Sequence, residues 1–216
     1  MRVVIAGGHG KIAQHLEKLL AAGGDHAVGI VRNPDHAADL RELSAEPAVL
    51  DLETATVDEV AEVLAGADAA VFAAGAGPGS GVARKETVDR AASALFADAA
   101  ERAGVRRFLQ VSAMGLGRAD NPATEEVFAV YLRAKAAAED DLRTRDLDWT
   151  ILRPGRLTDE PGTGQVHLAE EVPPGEVSRQ DVAEVLAGLL AEPIALRRTL
   201  ELTGGNTPVS EALSRL

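Results

Sequence analysis

The sequence predicts an α/β fold: a doubly wound, mostly parallel sheet with helices on both faces, built as a single domain. Two observations carry this. Short apolar runs alternate with amphipathic stretches along most of the chain, the rhythm of repeated strand–helix–strand units. The runs are also continuously apolar rather than alternating, as in strands covered by helices on both faces.

The elements follow in order. Residues 3–7 read as a strand, and 11–22 as a helix with Ile12, Leu16, Leu19 and Leu20 on one face. A second strand spans 27–32 and stops at Asn33-Pro34, because proline cannot continue a central strand. A third spans 48–52. It precedes a helix over 57–65 whose inward residues are Val57, Val60, Ala61 and Leu64. Residues 69–74 form a fourth strand, and a glycine-rich segment, 75–81, follows it. A long helix is expected from about 84 to 103, with Val88, Ala92, Leu95, Phe96 and Ala99 near the helical period. Strands at 108–112 and 150–153 flank a helix over 126–144. Beyond Pro154 the rhythm loosens into a Gly-, Pro- and Thr-rich loop. A helix over 178–191 follows, capped by Ser178 and with Asp181 suited to its N-terminal dipole. A last strand, 199–202, and a terminal helix, 209–216, complete the chain.

Composition narrows the function. Across 216 residues the net charge is −12, which argues against nucleic acid and anionic membrane as partners. With no cysteine, disulfides, thiolate metal sites and cysteine nucleophiles are excluded. The five histidines show no ligand spacing, so no metal site is expected. Neither a bilayer-length apolar run nor a signal-peptide pattern is present, and the expected location is the cytoplasm.

The segment Gly7-Gly8-His9-Gly10-Lys11-Ile12-Ala13 joins the first strand to the first helix. Glycines there let the backbone approach a pyrophosphate, whose charge meets the unpaired N–H groups of the helix. The spacing, Gly7-x-x-Gly10-x-x-Ala13, is a variant of the Rossmann dinucleotide fingerprint in the strand–turn–helix setting that fingerprint requires. His9 reads as filler in the turn. Arg32 and Asn33 end the second strand, with Lys11 across the turn. Cations at that place accommodate a ribose 2′-phosphate, so NADP is favoured over NAD. Asp51 and Leu52 are expected beside the adenine, and Ala73, Ala74 and Gly75 along the cofactor at the end of the fourth strand. Ligands of such sheets bind at the carboxyl ends of the strands. The long loops there, 112–124 and 154–174, are the candidate walls for a small-molecule substrate.

The chain has one tyrosine, Tyr131, and a lysine four residues on, Lys135. On a helix that spacing puts both on one face. An ammonium beside a phenol lowers its pKa toward the working range, and the lysine can also bond a nicotinamide ribose. Ser112 ends a strand at the carboxyl edge, where its hydroxyl could hold a substrate carbonyl. The bland alternative also stands: Tyr131 as half-buried core, and Lys135 paired with Glu139 on its own helix.

These residues resemble an atypical short-chain dehydrogenase/reductase over essentially the whole chain. The likeness is to the NAD(P)-dependent epimerase/dehydratase group and to the nitrogen-repression-regulator and biliverdin-reductase-B-like proteins. It rests on Gly7–Ala13, on Phe108-Leu-Gln-Val-Ser112, on Tyr131-x-x-x-Lys135, and on Ile151-Leu-Arg-Pro154-Gly155, with Ser178-Arg-Gln-Asp181 after the substrate loops. The resemblance implies a Rossmann domain and a catalytic set of Ser112, Tyr131 and Lys135. It also implies that Pro154 packs beside the nicotinamide. Asp89 stands where such proteins usually carry an asparagine, and its charge would oppose phenolate formation while steadying Lys135.

Three functions stay open on the sequence alone. One is an NADP-dependent oxidoreductase acting on a small carbonyl or alcohol, an epimerase or dehydratase being the same apparatus. The second is a non-catalytic NADP-binding sensor, and the third a flavin- or biliverdin-type reductase. A homodimer is a further expectation, with the helices around 84–103 and 126–144 able to pack across a two-fold axis.

Overall fold

Four apolar residues, Val3 to Ala6, bury all but the first residue of the opening strand, and the sheet grows outward from it. A computed structural model describes residues 1–77 and 80–216; Pro78 and Gly79, within the 75–81 glycine-rich segment, lie outside the described residues. In chain order the first half contains β1 (Arg2–Ala6), α1 (Lys11–Ala22), β2 (His26–Val31), α2 (Ala37–Glu42), β3 (Glu46–Val49), α3 (Val57–Leu64) and β4 (Ala69–Phe72). Next come α4 (Val82–Arg84), a π-helical segment (Lys85–Ala91), α5 (Ala92–Ala103), β5 (Arg107–Val111), α6 (Glu126–Arg143) and β6 (Asp148–Pro154). The last part holds β7 (Arg156–Thr158), β8 (Gln165–Ala169), β9 (Glu176–Ser178), α7 (Arg179–Ala191), β10 (Arg198–Gly204), β11 (Thr207–Pro208) and α8 (Val209–Ser214).

The main sheet runs β11-β8-β10-β6-β5-β4-β1-β2-β3. From β3 to β10 every pairing is parallel, with Ile5 opposite both Gly29 and Val71. The strand order reverses direction at β1 and β4, the crevice where open α/β sheets bind ligands. Alternation along β1 feeds two cores: Val3 and Ile5 pack with Leu16, Leu40 and Leu186, while Val4 and Ala6 pack with Val60, Phe96 and Phe108 on the other face. Local chemistry starts the helices as expected. Thr56 and Glu59 form a reciprocal capping box on α3, and the Ser178 hydroxyl accepts from the Asp181 N–H at α7.

Several expectations need correction. The helix foreseen over 84–103 is interrupted, because Lys85–Ala91 winds as a π-helix; such insertions concentrate at functional sites. The region 154–174 is no plain loop. It contributes β7, which pairs with β9 in a small separate sheet, and β8, which adds to the main sheet antiparallel to β10. Asp181 does more than complement a dipole: its buried carboxylate accepts from the Thr163 and Gly164 N–H groups and ties that region down. The third strand ends at Val49, so Asp51 and Leu52 lie beyond it. Leu19 is exposed, and Val57 and Ala61 are only partly buried, since α1 and α3 present narrower apolar stripes than the pattern implied.

A dinucleotide cleft leading to a tyrosine–lysine site

The glycine turn between β1 and α1 is shaped by close backbone approach. Gly7 has φ +82°, and a Cβ there would lie 2.7 Å from the Ala74 Cα. A Cβ on Gly8 would lie 2.6 Å from the Gly29 Cα. Both obstacles are backbone atoms, so neither position has room for a side chain. No side chain caps α1, and its first turn carries no acidic residue, which leaves its N–H groups open to an anion. The turn therefore fits a pyrophosphate. Gly8 lies beneath it, its N–H donated to the Ile30 carbonyl at 2.9 Å. His9 stacks on His36 with ring centroids 3.6 Å apart and pairs with Asp39 at 2.7 Å.

A cavity of about 300 Å³ runs from this turn over the ends of β2 and β3. Gly7, His9 and Gly10 line it, as do Arg32, Asn33, Asp51, Leu52 and the Ala73–Gly75 stretch. Glu53, which the sequence reading missed, organises its far wall. Its carboxylate accepts from Arg32 at 3.0 Å, from Arg84 at 2.7 Å and from the Thr87 hydroxyl at 2.6 Å. The Thr87 bond foremost, then the two guanidinium groups, hold Glu53 below the usual carboxylate range. Asp51 uses one carboxylate oxygen to accept from the Glu53 N–H. Lys11 does not join this group. Its ammonium pairs with Asp159 at 2.5 Å and lines a separate depression with Arg179, because the α1 side chain leans toward the β7–α7 side of the molecule.

Ala73, Ala74 and Gly75 also line a second cavity, of about 420 Å³, so the two spaces share one wall. Ile12, Asp89, Ser112, Tyr131 and Lys135 meet here. Tyr131 and Lys135 lie on one face of α6, with the ammonium 5.9 Å from the phenol ring centroid. Lys135 is buried and pairs with Asp89 at 3.3 Å, not with Glu139, and it donates to the Val111 carbonyl at 3.2 Å. Burial pulls the Lys135 ammonium below its ordinary value, against the pull of Asp89. The expected lowering of the phenol is overturned: burial, and then the Asp89 charge, push Tyr131 above the ordinary phenol value. Lys85, on the π-helical segment, was not anticipated. It is buried, sits 5.2 Å from the Tyr131 centroid and donates to the Gly77 carbonyl at 2.9 Å.

Ser112 is placed at the strand end but its hydroxyl is engaged. It donates to Glu139 Oε1 at 2.5 Å, so it cannot at the same time donate to a substrate oxygen. Glu139 is fully buried and accepts from Arg153 at 2.5 and 2.9 Å and from Arg143 at 2.6 Å. Burial would raise this carboxyl, yet Arg153, Ser112 and Arg143 together hold it below the usual range. Pro154 lines neither cavity; its carbonyl accepts from the Met114 N–H at the end of β6. From the long loops only Ser112 and Leu157 reach the second cavity, whose outer wall is instead Glu125, Val127 and Phe128 at the start of α6, with Arg179.

A family model described as NAD(P)H-binding matches residues 7–193. The chain belongs to that NAD(P)H-binding family. Within its reach, the sugar epimerase YhfK of Bacillus subtilis, itself uncharacterised, is 36% identical over the whole of both chains. A solved structure from Bacillus halodurans, assigned as an NAD-dependent epimerase/dehydratase, is 34% identical with a TM-score of 0.91 and full coverage of both chains. The anaerobillin reductase ChuY of Escherichia coli O157:H7 is 25% identical, with a TM-score of 0.78 over 94% of this chain and 97% of that one. This NAD(P)H-binding chain is thus similar to proteins described as epimerases, dehydratases and reductases. Among the described residues no helix is long and apolar enough to cross a membrane, and no cluster of three or more His, Asp or Glu could hold a metal ion.

Proposed function

We propose that the protein is an NADP-dependent oxidoreductase that reduces a small carbonyl compound, with Tyr131 as the proton donor. The observation carrying this is the shared wall of Ala73–Gly75, which joins a cleft fitted to a dinucleotide to a cavity containing Tyr131, Lys135 and Asp89. Bound in that cleft, a nicotinamide coenzyme supplies a hydride to a substrate carbon. The protein's own part is the proton. A phenol raised above its ordinary value by burial and Asp89 rests protonated, which suits donation to a substrate oxygen gaining negative charge. When Tyr131 gives up that proton, the phenolate is left with two cations near it, Lys85 and Lys135, 5.2 and 5.9 Å from the ring centroid. Because Ser112 donates to Glu139, the phenol is the proton donor for the substrate oxygen, and Ser112 fixes the wall behind it.

The 2′-phosphate preference is supported by Arg32 and Arg84, two guanidinium groups that share the single carboxylate of Glu53 beside the expected ribose. The likeness to ChuY favours a second reading, a reductase in which hydride delivery alone does most of the work. One experiment separates them: NADPH oxidation with aldehyde, ketone, quinone and flavin panels, for the wild type and Tyr131→Phe. On the first reading the variant loses about 10²- to 10⁴-fold in carbonyl turnover and keeps its affinity for NADPH. Unchanged carbonyl turnover in the variant refutes the proton-donor role, and no uptake of either coenzyme refutes the whole reading.

A further inference from the structure

The cavity beside Tyr131 contains a charge that the proton chemistry does not use. Three cations line it, Lys85, Lys135 and Arg179, against two carboxylates, Asp89 and Glu125. Two of those cations are compensated: Lys135 by Asp89 at 3.3 Å, and Arg179 by Asp159 at 2.6 Å. Lys85 is not. It is 92% buried, since its relative exposure is 8%, and among the described residues no carboxylate lies within 4 Å of its ammonium. Among the described residues its partners are one neutral carbonyl, that of Gly77, and the face of the Tyr131 ring. An ammonium has three donors, and a desolvated cation without a counter-charge is costly to keep. Burial of this kind at a cavity wall is retained where a ligand supplies the missing charge.

The rest of the lining sets the shape of that ligand. Ile12, Val111, Val127, Phe128 and Leu157 give the cavity apolar walls, and Phe128 stacks on Tyr131 with centroids 5.9 Å apart. A small, mostly apolar body with one negative charge matches both features. The second carboxylate of the lining, Glu125, belongs to an exposed residue, accepts from the Val127 N–H and forms no ion pair with Lys85, so the one buried cation without a counter-charge calls for a singly charged group, hence a carboxylate. We propose that the substrate of this site is a carbonyl compound bearing a carboxylate, and that Lys85 receives that carboxylate while Tyr131 serves the carbonyl oxygen. The inference rests on reading the cavity as the substrate site of a carbonyl reductase. It adds the substrate class and a specificity residue. Lys85 and Asp89, four residues apart on the π-helical segment, both face the same lining.

The test uses para-carboxybenzaldehyde and its methyl ester, two aldehydes of similar size that differ in one charge. With saturating NADPH, the wild type is expected to favour the acid in kcat/KM by roughly ten- to a hundredfold, the range of a hydrogen bond to a charged group. Lys85→Met should bring the acid-to-ester ratio close to one, and Lys85→Arg should restore most of it. A ratio near one in the wild type, or one that survives Lys85→Met, overturns the proposal. Binding is read independently of turnover by calorimetric titration of the NADP⁺-loaded protein with each compound. Acid bound at least tenfold more tightly than ester, with the gap lost in Lys85→Met, sustains the anion site even if neither aldehyde is reduced, an outcome that would sink the reductase reading alone. Equal binding of acid and ester sinks the anion site and leaves the reductase reading in place. Thermal melts of the variants check folding, and Lys85→Gln replaces Lys85→Met if the latter does not fold.

Discussion

Glu17 gives the sharpest test of the physics under the glycine turn. It sits on α1, fully buried, and neither carboxylate oxygen has a hydrogen-bond partner among the described residues. Its carboxyl lies against Gly8 and Gly29, so closely that a Cβ on Gly29 would come within 2.6 Å of Oε1. Burial pushes it from an ordinary value of 4.5 to about 8. The folded chain therefore holds a proton that the unfolded chain has already released. Stability must fall as pH rises from about 4.5 to about 8, and flatten above, at about 1.4 kcal/mol per pH unit inside that window. Glu17→Gln keeps the shape and removes the titration. Urea unfolding of both proteins between about pH 5.5 and pH 8.5 should show the variant gaining about 3 kcal/mol on the wild type across that interval. Carboxylates held below their ordinary values, such as Glu53 and Glu139, titrate at lower pH and cancel in the difference. Stability curves that stay parallel from pH 5.5 to 8.5 would refute the assignment of a neutral, buried Glu17.

Two further outcomes are expected. Arg32→Ala should weaken NADPH roughly tenfold, the loss of one charge-assisted contact, and leave NADH within about twofold, read by fluorescence titration of each coenzyme; equal loss for both would remove the case for a 2′-phosphate site. Glu139→Leu should cost about 3 kcal/mol, the low end for breaking a buried charge cluster, because Arg143 and Arg153 are partly exposed and can turn to water. Since Glu139 is held below its ordinary value, that penalty is full above the ordinary carboxylate range and should shrink as pH falls through it, as denaturant melts at pH 3 and pH 7 would reveal.

Much of the architecture was legible in the letters because its causes are local. Continuous apolar runs mark strands buried on both faces, a glycine turn before a helix marks the dinucleotide crevice, and Tyr131-x-x-x-Lys135 lies on one helical face whatever else the chain does. Gly7, Arg32 and Ala73–Gly75 fell along one cavity for the same reason, since parallel strands deliver their carboxyl ends to one edge. What the pattern could not supply were partners distant in the chain. Lys135 reaches Asp89 rather than Glu139, the Ser112 hydroxyl is taken by Glu139, and Lys11 turns to Asp159. Each pairing spans 27 or more residues, and it exists only because particular helices pack on particular strands.

The β8 pairing shows the same division. Its five residues look like loop because an antiparallel strand with one face toward solvent needs no continuous apolar run, and only docking between β10 and the short β11 makes them a strand. Lys85 is the clearest case. One more lysine on a polar helix carries no signal in sequence, and its meaning came from its burial and its place over Tyr131. Periodicity and turn chemistry act through neighbours along the chain and so were written in the sequence. Charge compensation acts through space, at distances of about 3 Å, and only the packed tertiary structure decided it.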